Sequence, residues 1–561
     1  MMRLLSKPRP RAVVYLTLLT LVIGGLLLPP PVLATPVGEQ LRERLEALPE
    51  GSGRLAASGE AIHAERALRA FYTERLFAPA WSDDDGARMD RVTTVRDLLE
   101  LADVHGPSVA DYHAEAIDAL LEQAPDDPTA GWLADLDLLV TDSYLLLASH
   151  LALGRLDPVS LDPQWFATRQ DLEPAKLLKR ALDEDTLQST IEGLLPASDE
   201  YARLLDAYAA HRDMAADGGW PRVPEGPTLR RGDEGERVLA LAQRLHATGE
   251  LRSEPGSTFD STLHEAVQAF QRRHGLEPDG LVGPNTRRAL NISATDRAEQ
   301  IRVNLERWRW LPRDLGERHI RVNIAGFDMV MVDRGEEVFS SRVIVGRDYR
   351  RTPVFNGRMT YLVLNPSWEV PNSIAVNDII PQIRQDPDYL DRMGFRVLRG
   401  WGADEREIDP TTVDWNRMGR NNMPFRFRQS PGPLNALGQV KFMFPNRFNV
   451  YLHDTPARNL FDRARRDFSS GCIRVENPME LTRVLLDDSS RWDRAAIDRV
   501  IDGKREQTVS LRRPVQTHMQ YATTWVDDDG RVQFREDIYS RDEPVRAALA
   551  ALPPRPVRTG R

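Results

Sequence analysis

The sequence predicts a multidomain α+β protein: a helical N-terminal region, a small three-helix module, and a mostly β domain with a long insert. Three observations predict it. The chain has 561 residues, too many for one domain at roughly 100–200 residues each. Charge divides it: residues 35–225 hold 37 acids and 17 bases, whereas residues 226–561 hold 47 acids and 53 bases. Near Arg318 the apolar spacing changes from three-and-four to alternation, the change from helix to strand.

Composition narrows the function classes. With 41% hydrophobic and 28% charged residues, disorder throughout, collagen and a multi-span membrane protein are excluded. A net charge of −10 argues against a nucleic-acid binder, which shows a basic face. The single cysteine, Cys472, excludes an intrachain disulfide and a cysteine-held zinc. The 11 histidines are scattered without an H-E-x-x-H pattern, so no metal and no cofactor is expected. His105 and His113 read as surface or capping residues.

Residues 1–34 read as a signal for export. Arg3, Lys7, Arg9 and Arg11 precede an uncharged apolar run from Ala12 to Leu28, and Val32-Leu33-Ala34 follows three prolines. This is the layout of a secretory signal, with cleavage expected after Ala34. An uncleaved inner-membrane anchor is the rival reading, because the run sits at the short edge of a span. Both place the bulk of the chain outside the cytoplasm.

Residues 35–226 read as a helical scaffold. Ala61–Phe71 and Leu133–Leu153 have helical apolar spacing, and Asp135, Asp137 and Asp142 are expected on polar faces. The Gly/Pro-rich stretch from Gly218 to Pro227 marks a boundary. Residues 228–291 follow as a separate module with helices over Glu236–Leu245, Ser261–His274 and a short run after Pro284. Gly275 is the expected left-handed cap. Residues 292–317 read as a helical connection back to the scaffold. Residues 318–540 read as the mostly β domain, with a hairpin at Asp333-Arg334-Gly335, and residues 541–561 as a C-terminal tail. Residues 372–428 interrupt the strands. An interruption this long is a lid or binding loop, and its aromatics, among them Tyr389, Trp401, Trp415, Phe425 and Phe427, are expected mostly to form a small core of its own.

The chemistry gathers around Cys472. Lone cysteines are mostly small buried hydrophobes, but three features point elsewhere. Ser469-Ser470-Gly471 makes a turn-permissive approach to the thiol, Arg474 lies two residues on, and His453 ends an apolar run nineteen residues upstream. A thiol of ordinary pKa is only a few per cent thiolate near neutral pH. A neighbouring imidazole is expected to correct that by forming a thiolate–imidazolium pair. The N–H groups of Gly471 and Cys472 are the expected oxyanion donors.

Two resemblances follow from these residues. The run "LRRGDEGERVLALAQRL…FDSTLHEAVQAFQRRHGLEPDGLVGPNTRRALN" closely resembles the peptidoglycan-binding domain found beside cell-wall enzymes. "HDT" followed by "SSGCIRV" resembles the L,D-transpeptidase (YkuD-type) signature. "NLERWRWLP", "NPSWEVPNSIA" and "PGPLNALGQVKFMFPN" resemble its large periplasmic branch, in which residues 372–428 match a capping loop. The resemblance implies Cys472 as nucleophile and His453 as base, with Gly471 and Ser470 in the turn. Many relatives carry histidine where Ser470 stands, so His453 is the sole base expected near the nucleophile, ahead of His319 and His518. Arg474, Lys441, Trp368 and Tyr451 are candidates for holding substrate.

The implied reaction joins peptidoglycan tetrapeptide stems. Cys472 attacks the carbonyl between diaminopimelate and the terminal D-alanine, and a second diaminopimelate amine resolves the thioester into a 3→3 crosslink. Alternatives are an L,D-carboxypeptidase, an enzyme attaching a lipoprotein to the wall, or a wall-binding protein with an inactive catalytic domain. The expected partners are donor and acceptor stems and other cell-wall synthesis enzymes, with no nucleic acid. The expected location is the periplasm.

Overall fold

The computed structural model describes residues 35–47, 55–83, 85–167, 171–486 and 491–551. The export segment read at residues 1–34 lies outside them.

The N-terminal region is built around helix α1 (Ala130–Leu153), which Thr129 caps by accepting from the Trp132 N–H at 3.2 Å. By length and composition α1 is apolar enough to cross a membrane, but it lies buried inside the protein. Leu68, Phe71, Val92 and Leu178 pack in the same core. A helix wrapped on all sides has no polar face, and this corrects the reading of its aspartates. Asp137 and Asp142 are fully buried, and Asp135 is half-buried against Arg44. The two buried carboxylates satisfy backbone that would otherwise be orphaned. Asp142 accepts from the N–H groups of His63 and Ala64 at 2.8 and 2.6 Å. Asp137 accepts from the Ala80 N–H at 2.6 Å, the Ser82 hydroxyl at 3.1 Å and the Tyr72 hydroxyl at 3.0 Å. Burial pushes the Asp137 carboxyl up to about 6. His105 and His113 are likewise buried rather than superficial. They bond to the Tyr201 hydroxyl at 2.9 Å and to Asp142 at 2.8 Å.

Helix α2 (Asp199–Ala216) leads toward the module, which comprises α3 (Glu236–Ala247), α4 (Ser261–Arg273) and α5 (Pro284–Leu290). Leu241, Leu245, Phe270 and Val282 form its separate core. Asp260 caps α4 through the Leu263 N–H at 2.8 Å, and Gly275 ends it with φ +64°. Helix α6 (Ala294–Arg309) then returns the chain to α2, and Tyr201, Leu204, Ile301 and Leu305 share one cluster.

The mostly β domain is a closed eight-stranded barrel with a second sheet outside it. Its strands are β1 (Arg318–Asn323), β2 (Asp328–Asp333), β3 (Glu336–Ile344), β4 (Asn356–Leu364), β5 (Trp368–Glu369), β6 (Phe395–Arg399), β7 (Arg406–Glu407), β8 (Arg426–Gln429), β9 (Val440–Met443), β10 (Leu452–His453), β11 (Ile473–Val475) and β12 (Gln507–Gln520). The barrel order is β9-β10-β11-β3-β2-β1-β12-β4. Arg334 (φ 55°) and Gly335 (φ 82°) make the two-residue β2–β3 turn, whose backbone twist suits a hairpin. Ile320, Met329, Val343, Leu362, Phe442, Leu452 and Ile473 are fully buried, as the inward members of alternating strands should be.

The interruption read as a capping loop over residues 372–428 is a folded unit. An antiparallel sheet of order β7-β6-β8-β5 brackets short helices, and β5 places its beginning at Trp368. Ile379, Ile380, Ile383, Leu390, Val397 and Phe427 make its core, with Tyr389, Trp415 and Phe425 against it. Trp401 is the exception, 70% exposed with Arg426 stacked 4.0 Å from its ring centre. Its two-residue edge strands carry no readable alternation, which is why it looked like a loop. Hairpin β13 (Thr524–Val526) and β14 (Val532–Phe534) follows β12. Residues 542–550, within the stretch read as a tail, form helix α7 (Asp542–Ala550). Val545 and Leu549 join the barrel's cluster, and Asp542 pairs with Arg307 at 2.5 Å.

Replacing Asp137 with alanine strands several buried donors at once. Each unpaired donor costs about 1–3 kcal/mol, so Asp137→Ala should lower the stability of the helical region by about 3 kcal/mol or more. Denaturant unfolding followed by the signal of buried Trp81 checks it; an unchanged midpoint would mean that the carboxylate is not a structural acceptor.

Candidate active site

Three neighbouring strands build the site. In β9, β10 and β11, Lys441 pairs with His453 across one ladder and His453 pairs with Arg474 across the next. Residues opposite one another share a face of the sheet. Their neighbours Phe442, Leu452 and Ile473 fill the barrel interior, so Lys441, His453 and Arg474 form a row on its outer wall. Tyr451 and Cys472 reach the same face by alternation.

Cys472 is half-buried, and its Sγ lies 3.6 Å from the Asn449 carbonyl. The Tyr451 backbone and phenol stand near enough to the sulfur to favour its thiolate form, against the larger effect of burial. Trp368 stands at the Tyr451 phenol and also packs on Phe395 of the folded insert. Lys441 Nζ lies 4.0 Å from the Tyr451 ring centre, and the His453 ring meets Tyr451 edge-on at 5.7 Å. Thus Cys472, Tyr451, His453, Lys441, Arg474 and Trp368 come together. Ser470 is the outlier: it is exposed, and its hydroxyl accepts from Arg350 at 2.9 Å.

His453 is buried, and its Nδ1 lies 2.5 Å from the Asp454 carbonyl. A carbonyl only accepts, so Nδ1 carries the proton and Nε2 keeps the free lone pair. Burial, followed by the Arg474 charge, pushes this imidazole down to about 3. Burial raises the Cys472 thiol above its ordinary 9.0. Both shifts favour the neutral pair, and no hydrogen bond joins the two side chains among the described residues. Burial thus works against the resting thiolate–imidazolium pair expected from sequence and toward a neutral thiol beside a neutral imidazole.

The turn before Cys472 is held from several sides. Gly471 has φ +112°, a left-handed conformation that favours glycine. Ser469 accepts from the Gly471 N–H at 3.1 Å and donates to the Cys472 carbonyl at 2.5 Å. Thr352 donates to the Gly471 carbonyl at 2.9 Å. The Gly471 N–H is thereby engaged, so of the two oxyanion donors read from sequence only the Cys472 N–H stays unclaimed among the described residues. Arg350 ties Ser470 to Asp378 of the folded insert. Sequence reasoning missed Thr352 and Arg350. They lie about 120 residues from the turn, and only the barrel brings them to it.

The cations in this row make no close ion pair among the described residues, and Glu506 is the carboxylate whose charge reaches Lys441. Neither Lys441 nor Arg474 has an ion pair among the described residues, and Arg474 Nε is buried without an acceptor. Burial lowers both groups, and Arg347 lowers Arg474 further. The site is thus a positive, partly desolvated surface around a thiol, suited to a carboxylate-bearing substrate. No cluster of three or more histidine, cysteine or acidic side chains able to hold a metal occurs among the described residues.

Comparison with known proteins gives the fold its relatives. Residues 317–494 match the family model of the L,D-transpeptidase catalytic domain. Residues 66–207 match a scaffold domain, and residues 234–290 match a "Putative peptidoglycan binding domain". A "Putative L,D-transpeptidase" of Haemophilus influenzae is 33% identical over 250 residues, 45% of this chain and 49% of that protein. The chain thus spans about half the length of that relative. An N-acetylmuramoyl-L-alanine amidase, CwlL, of Bacillus licheniformis is 36% identical over 67 residues, 12% of this chain and 19% of that one. A solved L,D-transpeptidase from Xylanimonas cellulosilytica aligns over 53% of this chain and 99% of its own at 17% identity, with a TM-score of 0.17. The chain carries an L,D-transpeptidase catalytic domain together with a peptidoglycan-binding domain.

The neutral resting pair has a measurable signature. Alkylation of Cys472 by iodoacetamide follows the thiolate fraction. With the thiol raised above 9.0, the rate should climb through neutral pH and still be rising at pH 9. A rate plateau between about pH 5 and 8, as a standing ion pair produces, would overturn this assignment.

Proposed function

We propose that the chain is an exported peptidoglycan L,D-transpeptidase, acting in the periplasm, that forms 3→3 crosslinks through a Cys472 acyl-enzyme and releases D-alanine. The observation that carries the reading is the Cys472 thiol, within the matched catalytic domain, set on one barrel face beside His453 and two cations without carboxylate partners. A tetrapeptide stem ends in carboxylates close to its scissile carbonyl, and unpaired Lys441 and Arg474 are suited to hold them.

The steps follow from the protonation states. As Sγ attacks the carbonyl carbon of diaminopimelate, its proton passes to His453 Nε2. The Cys472 N–H donates a hydrogen bond to the developing oxyanion. The C–N bond breaks, and the imidazolium returns the proton to the leaving D-alanine amine. An imidazole held near 3 is a weak base but, once protonated, a strong acid, which suits expulsion of an amine. The side-chain amine of a second diaminopimelate then attacks the thioester and loses a proton to His453, and as the C–S bond breaks the imidazolium returns that proton to Sγ. Water competes for the same thioester, and the folded insert over residues 368–429 favours aminolysis by covering the site. In this reading the module over residues 228–291 holds the enzyme to the wall.

Purified disaccharide-tetrapeptide incubated with the protein should give free D-alanine and a crosslinked dimer by mass spectrometry. Tripeptide alone would instead assign an L,D-carboxypeptidase. Cys472→Ala should abolish D-alanine release with the fold retained. His453→Gln should lower it by about 10²–10⁴-fold, the usual worth of general acid–base assistance. Release at the parent rate from either variant would refute the assigned roles.

A further inference from the structure

The peptidoglycan-binding module does not hang free of the catalytic domain. The end of α4 sits on the β13–β14 hairpin. Arg535 donates to the Arg273 carbonyl at 2.9 Å, Arg273 donates to the Val532 carbonyl at 3.3 Å, and His274 stacks on Phe534 with 5.4 Å between ring centres. Gly275 permits this approach: a Cβ there would lie 2.5 Å from the Arg535 side chain. Ala464, on the segment leading into Cys472, gives its N–H to Glu277 of the module at 2.7 Å. Between these contacts lies a cleft of about 450 Å³, lined by residues of both domains.

The cleft is cationic and incompletely paired. Arg288, Arg297, Arg465 and Arg535 line it, against Glu277 and Glu536. Arg465 is paired with Asp467 and Glu536. The other three arginines have no carboxylate partner among the described residues. Arg297 is the telling one. It is 4% exposed, and its Nε has no acceptor. Its remaining nitrogens reach Gln300 at 2.7 Å and the Ala289 carbonyl at 3.4 Å, and its guanidinium stacks 4.4 Å from the Phe534 ring centre. Burial, with Arg273 and Arg244 nearby, pushes it down to about 9. The Asp296 charge reaches Arg297 but makes no ion pair with it; a buried guanidinium left so is costly, and an anion with acceptor oxygens relieves that cost.

We propose that this interdomain cleft is a second binding site, taking the carboxylates of a peptide stem separately from the site around Cys472. Guanidinium forks match planar carboxylates. Glu277 and Glu536 at the same cleft disfavour a polyanion and accept from an ammonium, so the ligand is a peptide bearing both carboxylates and an amine. The proposal rests on the peptidoglycan reading above and deepens it. A stem held here is gripped by the module and by the segment that precedes the nucleophile, which couples wall attachment to the presentation of stems.

The test uses the full chain carrying Cys472→Ala, which cannot turn over a stem. The probe is the tripeptide L-alanyl-γ-D-glutamyl-diaminopimelate, followed by titration calorimetry. Arg288→Gln changes an exposed side chain and should weaken binding roughly tenfold, the effect of losing one charge-assisted contact. Arg297→Gln, its fold checked by thermal melting, should do the same. Amidating the peptide's carboxylates should weaken binding equally. Unchanged affinity in Arg288→Gln, equal binding of the amidated peptide, or no binding would overturn the proposal. If the catalytic reading alone fails, D-alanine release fails while this titration still depends on Arg288.

Discussion

The strand ladder that sets Lys441, His453 and Arg474 side by side is the constraint on which the rest of the site depends. Hydrogen bonding between β9, β10 and β11 fixes which residues face one another, and a slip of one residue would turn the imidazole into the barrel core. Burial, and then the flanking Arg474 and Lys441 charges, push the His453 imidazole toward its neutral form, and Asp454 fixes which nitrogen is free. The same face presents the Cys472 thiol with the Tyr451 phenol beside it. The placement of the imidazole, the thiol and the two cations is thus one consequence of register.

Around that row the protein spends its polar groups on position. Ser469 and Thr352 pin the turn whose left-handed glycine aims the thiol. Arg350 reaches from that turn to Asp378, so the folded insert and the nucleophile share one hydrogen-bonded link. Glu277 makes a comparable link from the peptidoglycan-binding module to the segment before the nucleophile. The folded insert and the module therefore both bear on the few residues that carry the thiol.

Much of this was legible in the sequence where local patterns decide. Helix periodicity and glycine placement located the three helices of residues 228–291. Alternation located the β2–β3 hairpin and the strand that ends in His453. What escaped depends on contacts between distant segments. Asp137 and Asp142 looked like surface residues because nothing local shows that a helix is surrounded; they are the acceptors for loops 55–80 residues away. The folded insert was hidden by strands of two residues. The charge state of the Cys472–His453 pair depends on burial and on Arg474 as its cross-strand neighbour, neither of which spacing reveals.

The central claim is that Cys472, and no other group, carries the donor stem as a thioester. Intact-mass spectrometry of the protein quenched during turnover of disaccharide-tetrapeptide tests it most directly. The account predicts an added mass equal to the donor less D-alanine, mapping to the peptide that contains Cys472 and discharged by an added amine. Release of D-alanine from a protein that never gains this mass, or an adduct on any other residue, would contradict it.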